Sequence, residues 1–124
     1  MTFLMVGLGG LTGSISRFLA FQLFKNSGIL PLHTVMVNLL GSFLIGIVLA
    51  FGLEKSGENW FLFLVPGFLG GFTTYSAFSA DMLLLLKNQN YSEALFYFSL
   101  TFAGGLAATA TGYLIGRFIF LKAL

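Results

Sequence analysis

Four apolar stretches, each long enough to cross a lipid bilayer, take up most of this chain. They run over about Thr2–Phe24, Leu32–Leu53, Trp60–Leu86 and Tyr91–Leu121, and a spanning helix needs about 20 residues. Lipid offers no hydrogen-bonding partners, so a main chain inside the bilayer must satisfy its own N–H and C=O groups, as a helix does. The pattern therefore predicts an all-α membrane protein with four transmembrane helices, built as a single domain over residues 1–124.

The composition agrees with this class and excludes several others. Only 8% of the residues are charged, whereas about 25% of a soluble domain is charged. The chain has no cysteine and one histidine, and it lacks the nucleophile, base and paired carboxylates of an enzyme. Its net charge of +2 is scattered and does not favour nucleic acid as a partner. We expect a multi-pass protein of the cell membrane, in bacteria the plasma membrane.

The basic residues near the ends of the spans give only a weak orientation signal. Lys55, Arg117 and Lys122 fall on one side of the membrane, and Lys25 and Lys87 fall on the other. This near balance leaves two alternatives, either both termini inside or insertion in both orientations. The second alternative would allow an antiparallel pair of identical subunits.

Small residues four positions apart occur in every span, and such spacing lets two helices approach closely. Some of these pairs should pack within one subunit, but their presence on all the spans favours an oligomer. The pairs are Gly9/Gly13, Ser42/Gly46, Gly67/Gly71 and Gly112/Gly116.

Three polar side chains inside the spans suggest chemistry, and each has a purely structural alternative. Arg17 would cost about 3 kcal/mol at mid-helix; it either reaches the interface along its aliphatic stem or draws an anion into a vestibule. Asn38 either bonds a neighbouring helix or offers two N–H donors to an anion. Asp81 lies less than two turns from Lys87, so a helix-end ion pair is plausible.

The third span contains GFLGGFTTYSAF at residues 67–78, which is poorly suited to a continuous helix. Adjacent glycines weaken a helix by about 1 kcal/mol each relative to alanine, and the span is longer than the bilayer requires, so it can contain a break. Hydroxyl side chains also accumulate here and in the fourth span. They either bond the preceding helical turn or form a polar track for an ion: Thr73, Thr74, Ser76, Ser79, Thr101, Thr109 and Thr111.

Three blocks of the sequence resemble the signatures of the Fluc (CrcB) fluoride channels. GGLTGSISRF at residues 9–18 resembles GGxxGAxxRY, and PLHTVMVNLLGSFLIG at 31–46 resembles PxGTLxVNxxGxFxxG. GFLGGFTTYSAFSAD at 67–81 resembles GxxGGxTTFSTFxxE. The blocks cover the first three spans in the family's order, whereas the fourth span matches only loosely.

The resemblance implies an antiparallel, dual-topology homodimer with two fluoride pores and a central, non-permeating sodium ion. By position, the backbone carbonyls of Gly70 and Thr73 would bind that ion, and a helix break near Gly70–Thr74 would free them. A heterodimer with a diverged paralogue is also possible. The predicted fluoride pathway contains Arg17, Asn38, Tyr75, Ser76, Phe78, Asp81 and Thr109.

The chain departs from the family pattern at several positions. Tyr75 stands where most members have Phe, Ala77 replaces Thr, Asp81 replaces Glu, and His33 replaces Gly. We predict a channel that exports fluoride passively down its electrochemical gradient. Two alternatives remain: a small dual-topology multidrug exporter, which would need a carboxylate in the first span where this chain has Arg17, and a membrane subunit without transport.

Overall fold

The computed structural model describes residues 1–26, 28–52 and 59–123, and it is helical nearly throughout. Helix α1 spans Thr2–Phe24, and α2 spans Leu32–Ala50. The long last helix, which we label α5, spans Tyr91–Ala123. The predicted end of the second span at Leu53 and the loop lysine Lys55 lie outside the described residues.

The third span begins as an irregular helix, α3. It starts with Asn59–Leu62, continues as a π-helix over Phe63–Leu69 and ends with Gly70–Phe72. Pro66 lies inside the π-helical part. Proline has no N–H to donate and its ring crowds the preceding turn, and a local π-helix is one way in which a membrane helix accommodates that loss.

The predicted break in the third span is confirmed at Thr73–Thr74. Thr73 has φ −80° and ψ 159°, and Thr74 has φ −153° and ψ 119°, so both residues are extended. The chain returns to helix as α4, Tyr75–Lys87. Within the part of the chain that the structure describes, four segments are long and apolar enough to cross a membrane, the third being Asn59–Lys87 taken as a whole. This confirms the four predicted spans.

Helices α1 and α3 approach so closely that side chains are excluded from their contact. A Cβ on Gly13 would overlap with the Phe68 carbonyl oxygen, and one on Gly67 would lie 2.9 Å from the Gly9 Cα. Glycine is therefore required here for space.

Helices α2 and α5 form the second close contact. A Cβ on Gly46 would overlap with the Thr109 carbonyl oxygen, and one on Gly112 with that of Phe43. The glycines of the predicted small-residue pairs are thus used within one subunit. The spacing alone does not support an oligomer, although the sequence had favoured one on that ground.

A small buried core lies where α2, α4 and α5 meet. It is formed by Val35, Leu85, Ala94 and Tyr97, with Phe78 packed against it. Most other large apolar side chains on α1 and α5 are exposed, as expected for helices that face lipid.

Candidate ion pathway

The break in the third span is held by the side chain of Asn38 on α2. Its Nδ2 donates to the Thr74 carbonyl oxygen at 3.1 Å, and its Oδ1 accepts from the Thr74 amide N–H at 2.8 Å. These two bonds fix the orientation of the carboxamide, because only the nitrogen can donate and only the oxygen can accept. The N–H and the C=O of Thr74 are therefore both satisfied by α2 rather than by their own helix.

Thr74 also starts the next helix. Its Oγ1 accepts from the Ala77 amide N–H at 3.2 Å, which is the usual bond of a helix N-cap. The Ser76 Oγ lies 3.3 Å from the same oxygen. A new helix N-terminus, which carries partial positive charge, is thereby created within the third span.

Arg17 reaches the same break from α1. Its Nη1 donates to the Thr73 carbonyl oxygen at 3.3 Å, and the side chain is partly buried. Arg17 therefore bonds to the main chain of the third span. This contact differs from the alternative in which its aliphatic stem carries the charge to the membrane interface. Its positive charge lies directly beside the broken backbone.

A cavity of about 780 Å³ lies beside the break, between α2, the third span and α5. Its wall combines hydroxyl and amide groups with aromatic rings. A few polar groups in a mainly apolar wall are suited to binding an ion away from water. The cavity brings together six of the nine residues predicted for the fluoride pathway and the sodium site: Asn38, Gly70, Thr73, Tyr75, Phe78 and Thr109.

Phe78 is held in this wall by neighbouring aromatic rings. Its centroid lies 5.3 Å from that of Tyr97 in a stacked pair and 5.9 Å from that of Tyr75. Aromatic rings carry partial positive charge at their edges. The packing of Phe78 against Tyr97 limits the orientations in which this edge can meet an ion.

The cavity is open on one side within a single chain. Tyr75, which lines it, is 81% exposed, and the neighbouring Phe102 on α5 is 61% exposed. An ion in this cavity would therefore meet the membrane or a second protein surface on its open side. One chain supplies only part of a closed pathway.

Gly70 and Thr73, whose carbonyls are predicted to bind sodium, both line this cavity. In a continuous helix, Gly70 O would accept from Thr74 N–H and Thr73 O from Ala77 N–H. Here these N–H groups donate to Asn38 Oδ1 and Thr74 Oγ1 instead. Carbonyl oxygens that have lost their helical donors are suitable ligands for a hard cation, so this arrangement fits a sodium ion.

Asp81 lies apart from the main cavity. Its Oδ2 accepts from Thr34 Oγ1 at 2.7 Å and from Tyr97 OH at 3.0 Å. It lines a second cavity of about 330 Å³. The structure forms no ion pair between Asp81 and Lys87, both of which are described, so the helix-end alternative does not account for Asp81.

The residues of the predicted hydroxyl track differ in what their hydroxyl groups bond. The hydroxyls of Thr73, Ser79 and Thr111 donate to carbonyls four residues earlier, at 2.8, 3.1 and 2.8 Å, which is the structural alternative. Thr101 and Thr109 line the main cavity. Thr101 Oγ1 is buried and has no hydrogen-bond partner among the residues that the structure describes.

Sequence reasoning missed the partners of these residues, above all Thr34 and Tyr97, which are both fully buried. A signal for Thr34 was present. Thr34, Asn38 and Gly41 follow one another at helical spacing on α2, which places them on one face. A Cβ on Gly41 would overlap with Thr73 Cγ2, so this glycine lets the break lie against α2.

Comparison with known proteins identifies relatives over nearly the whole chain. The family model described as CrcB-like protein, Camphor Resistance (CrcB), matches residues 4–113. A protein of Bordetella petrii named fluoride-specific ion channel FluC is 43% identical over 90% of this chain and 88% of its own. Two proteins of the same name are also similar. That of Azobacteroides pseudotrichonymphae is 38% identical over 92% of this chain and 94% of its own. That of Thermosipho melanesiensis is 35% identical over 98% of this chain and 100% of its own.

Proposed function

This chain belongs to the CrcB-like family, and we propose that it is a fluoride-selective channel whose pores are completed by a second copy. It is an ion channel of the cell membrane and not an enzyme. The observation that carries the proposal is the cavity beside the helix break, which combines the amide of Asn38 with hydroxyls and the ring of Phe78. Membership of this family favours the channel over a multidrug exporter and over a subunit without transport.

The cavity wall offers what a small anion needs. Fluoride must exchange tightly held water for other donors, since an ion in an apolar medium is costly. Asn38 uses one of its two Nδ2 hydrogens on Thr74, which leaves the other as a donor. The hydroxyl of Thr109, the edge of Phe78 and the α4 N-terminus at Tyr75 provide further positive partial charge along the same wall.

Arg17 and Ser76 contribute beside the wall. The Arg17 guanidinium lies at the Thr73 carbonyl, where its charge lowers the electrostatic cost of bringing an anion to the break. The exposed Ser76 hydroxyl lies next to the Thr74 cap and can donate to an ion at the α4 N-terminus. Asp81 acts indirectly. It accepts a hydrogen bond from the Tyr97 hydroxyl, and Phe78 stacks on the Tyr97 ring.

The open side of the cavity is closed, in our proposal, by an identical chain inserted in the opposite orientation. The position of the exposed Tyr75 and Phe102 rings in the cavity lining supports this arrangement, since a partner that closes the cavity would cover both. The near balance of basic residues permits both orientations. Two copies related by a twofold axis in the membrane plane would give two equivalent pathways. A partner that is a diverged paralogue would complete the cavity in the same way.

A sodium ion fits at the twofold axis between the two breaks. Gly70 and Thr73 of each copy would hold it through their main-chain oxygens, which have lost their helical donors. A bound ion would be held by the lone pairs of these carbonyl oxygens and would link the two subunits. Arg17 takes one lone pair of Thr73 O, and a carbonyl oxygen has a second.

A fluoride-electrode assay tests the channel. The purified protein is reconstituted into liposomes loaded with potassium fluoride, and valinomycin is added to release the countercharge. We expect rapid fluoride efflux, and little chloride efflux from matched liposomes loaded with potassium chloride. Retention of fluoride, or equal release of both anions, would contradict a fluoride-selective channel.

A labelling experiment tests the dual topology separately. The chain has no cysteine, so Asn88→Cys in the loop between α4 and α5 provides a single label site. We expect a membrane-impermeant maleimide to modify about half of the copies in intact cells, because both orientations insert. Labelling of all copies, or of none before lysis, would show a single orientation.

A further inference from the structure

We propose that Asn38 is a positioning residue for the cation site, because it removes the hydrogen-bond donor that would otherwise occupy Gly70 O. This inference rests on the proposed sodium site and adds a residue that does not touch the ion. Asn38 would thus serve two purposes, one toward the anion and one toward the cation.

The hydrogen bonds around Thr74 carry the inference. A regular helix through this region would pair Thr74 N–H with Gly70 O, four residues earlier. That N–H instead donates to Asn38 Oδ1 at 2.8 Å, and the Thr74 carbonyl accepts from Asn38 Nδ2 at 3.1 Å. The side chain therefore mimics a peptide group and competes with the helix for Thr74.

The surrounding packing makes this competition effective. Gly41 lies three residues after Asn38, and a Cβ there would overlap with Thr73 Cγ2, so the lack of a side chain lets the broken segment lie against α2. The extended ψ of Thr73, 159°, turns the Thr74 N–H away from the axis of α3. Gly70 itself keeps a helical conformation, with φ −62° and ψ −36°, so its carbonyl loses a donor without a change in its own backbone.

The two polar groups of the carboxamide therefore have different functions. The oxygen prevents the helix from closing onto Gly70 O, and one N–H keeps the Thr74 carbonyl satisfied. Removing the oxygen should let Thr74 N–H return to Gly70 O and weaken cation binding. Removing only the NH₂ group should harm the anion path but leave Gly70 O accessible.

The peptide bond between Thr73 and Thr74 reports both on the proposed cation ligand and on the hydrogen bond to Asn38. Thr73–Thr74 is the only Thr–Thr pair in the sequence. Full-length protein labelled with ¹³C at threonine carbonyls and ¹⁵N at threonine amides therefore gives a single carbonyl-to-amide NMR correlation. Its carbon belongs to the proposed ligand Thr73 O, and its nitrogen belongs to the N–H that Asn38 binds.

The titration compares sodium chloride with N-methyl-D-glucamine chloride in lipid bilayers. In the unmodified protein, we expect the Thr73 carbon resonance to move as sodium is added. In Asn38→Leu, the Thr74 nitrogen resonance should differ from the start, and the half-effect sodium concentration should rise about tenfold or more. Asn38→Asp, which keeps an acceptor oxygen, should retain a sodium response close to that of the unmodified protein while fluoride efflux falls.

The controls separate this inference from the proposed channel. Thr111→Val removes a hydroxyl that bonds its own helix at Ala107 O, and it should leave the sodium titration unchanged. If Asn38→Leu does not fold, Asn38→Ser gives the same test, because its hydroxyl is too short to reproduce both bonds.

An unchanged sodium midpoint in Asn38→Leu or Asn38→Ser would overturn the inference, as would an Asn38→Asp protein that responds as poorly as Asn38→Leu. Absence of any sodium response in the unmodified protein would overturn the cation site together with this role of Asn38. Absence of fluoride efflux from the unmodified protein, with a normal sodium response, would contradict the channel alone.

Discussion

Gly46 and Gly70 both occupy helical backbone but are glycine for different reasons. A Cβ on Gly46 would overlap with Thr109 O and lie 2.9 Å from Tyr113 N, whereas one on Gly70 meets only Val65 O, at an ordinary 3.7 Å. Gly46 is buried, and Gly70 is exposed at the cavity. The first glycine is explained by packing within the chain, and the second is not.

This difference separates the part of the molecule that makes the fold from the part that we propose makes the pathway. The contact between α2 and α5 depends on small residues and excludes any larger side chain. The break depends instead on a few hydrogen bonds supplied by Asn38 and Arg17 from two other helices. Substitutions in the first region should damage folding, and those in the second should damage ion binding and flux.

The largest effect is expected from Gly46→Ala. A methyl group would force two main chains apart, and overpacking of a close contact costs about 1–3 kcal/mol or more. We expect a sharply lower melting temperature and little monodisperse protein in size-exclusion chromatography. Gly7→Ala is the matched control, because a Cβ there has nothing within 4 Å. A Gly46→Ala protein as stable as Gly7→Ala would remove the basis of the comparison.

Gly70→Ala places the same methyl group at the cavity and so provides a direct comparison with Gly46→Ala. The chain has room for the methyl group, so the fold should survive. The methyl group would intrude where we propose the partner and the cation, and we expect fluoride efflux to fall about tenfold. Efflux at the unmodified rate, measured with the fluoride electrode, would show that Gly70 has no role in the pathway.

Phe78→Ile tests the aromatic wall. The substitution removes the ring edge and the stacking on Tyr97, an interaction worth about 0.5–1.5 kcal/mol. We expect efflux to drop about three- to tenfold while the oligomer, measured by cross-linking, stays intact. Phe3→Ile on the 93% exposed ring of α1 should change neither. Normal efflux from Phe78→Ile would exclude a role for the ring edge.

The smallest effect is expected from Tyr75→Phe, which introduces the residue that most members of the family have at this position. The ring stays and only a hydroxyl is lost, so efflux should remain within about twofold of the unmodified protein. A loss beyond tenfold in the electrode assay would instead place the Tyr75 hydroxyl among the essential donors.

The sequence was sufficient for the spans and the position of the break. Long apolar stretches define membrane helices by length alone, and the GGFTT segment marked the break that the structure places at Thr73–Thr74. Pro66 was a visible signal for the π-helical part of α3, but the irregularity was not predicted, because the sequence does not show how a helix will absorb a missing donor.

The partners of polar and small residues were not predictable in the same way. Helical spacing shows that Gly46 lies on a small-residue face, but not whether that face meets α5 or a second subunit. Asp81 was paired with Lys87 by proximity in sequence, whereas the fold brings it to Thr34 and Tyr97 from two other helices. Such contacts depend on how the helices pack, which a single sequence does not specify.

An experimental density map of the purified protein in sodium chloride tests the central claim most directly. We expect two oppositely directed chains that meet at their interrupted third spans, with density for an ion among the four main-chain oxygens of Gly70 and Thr73. A helix that runs without interruption through residues 70–74, or neighbouring chains that point in the same direction, would contradict the account.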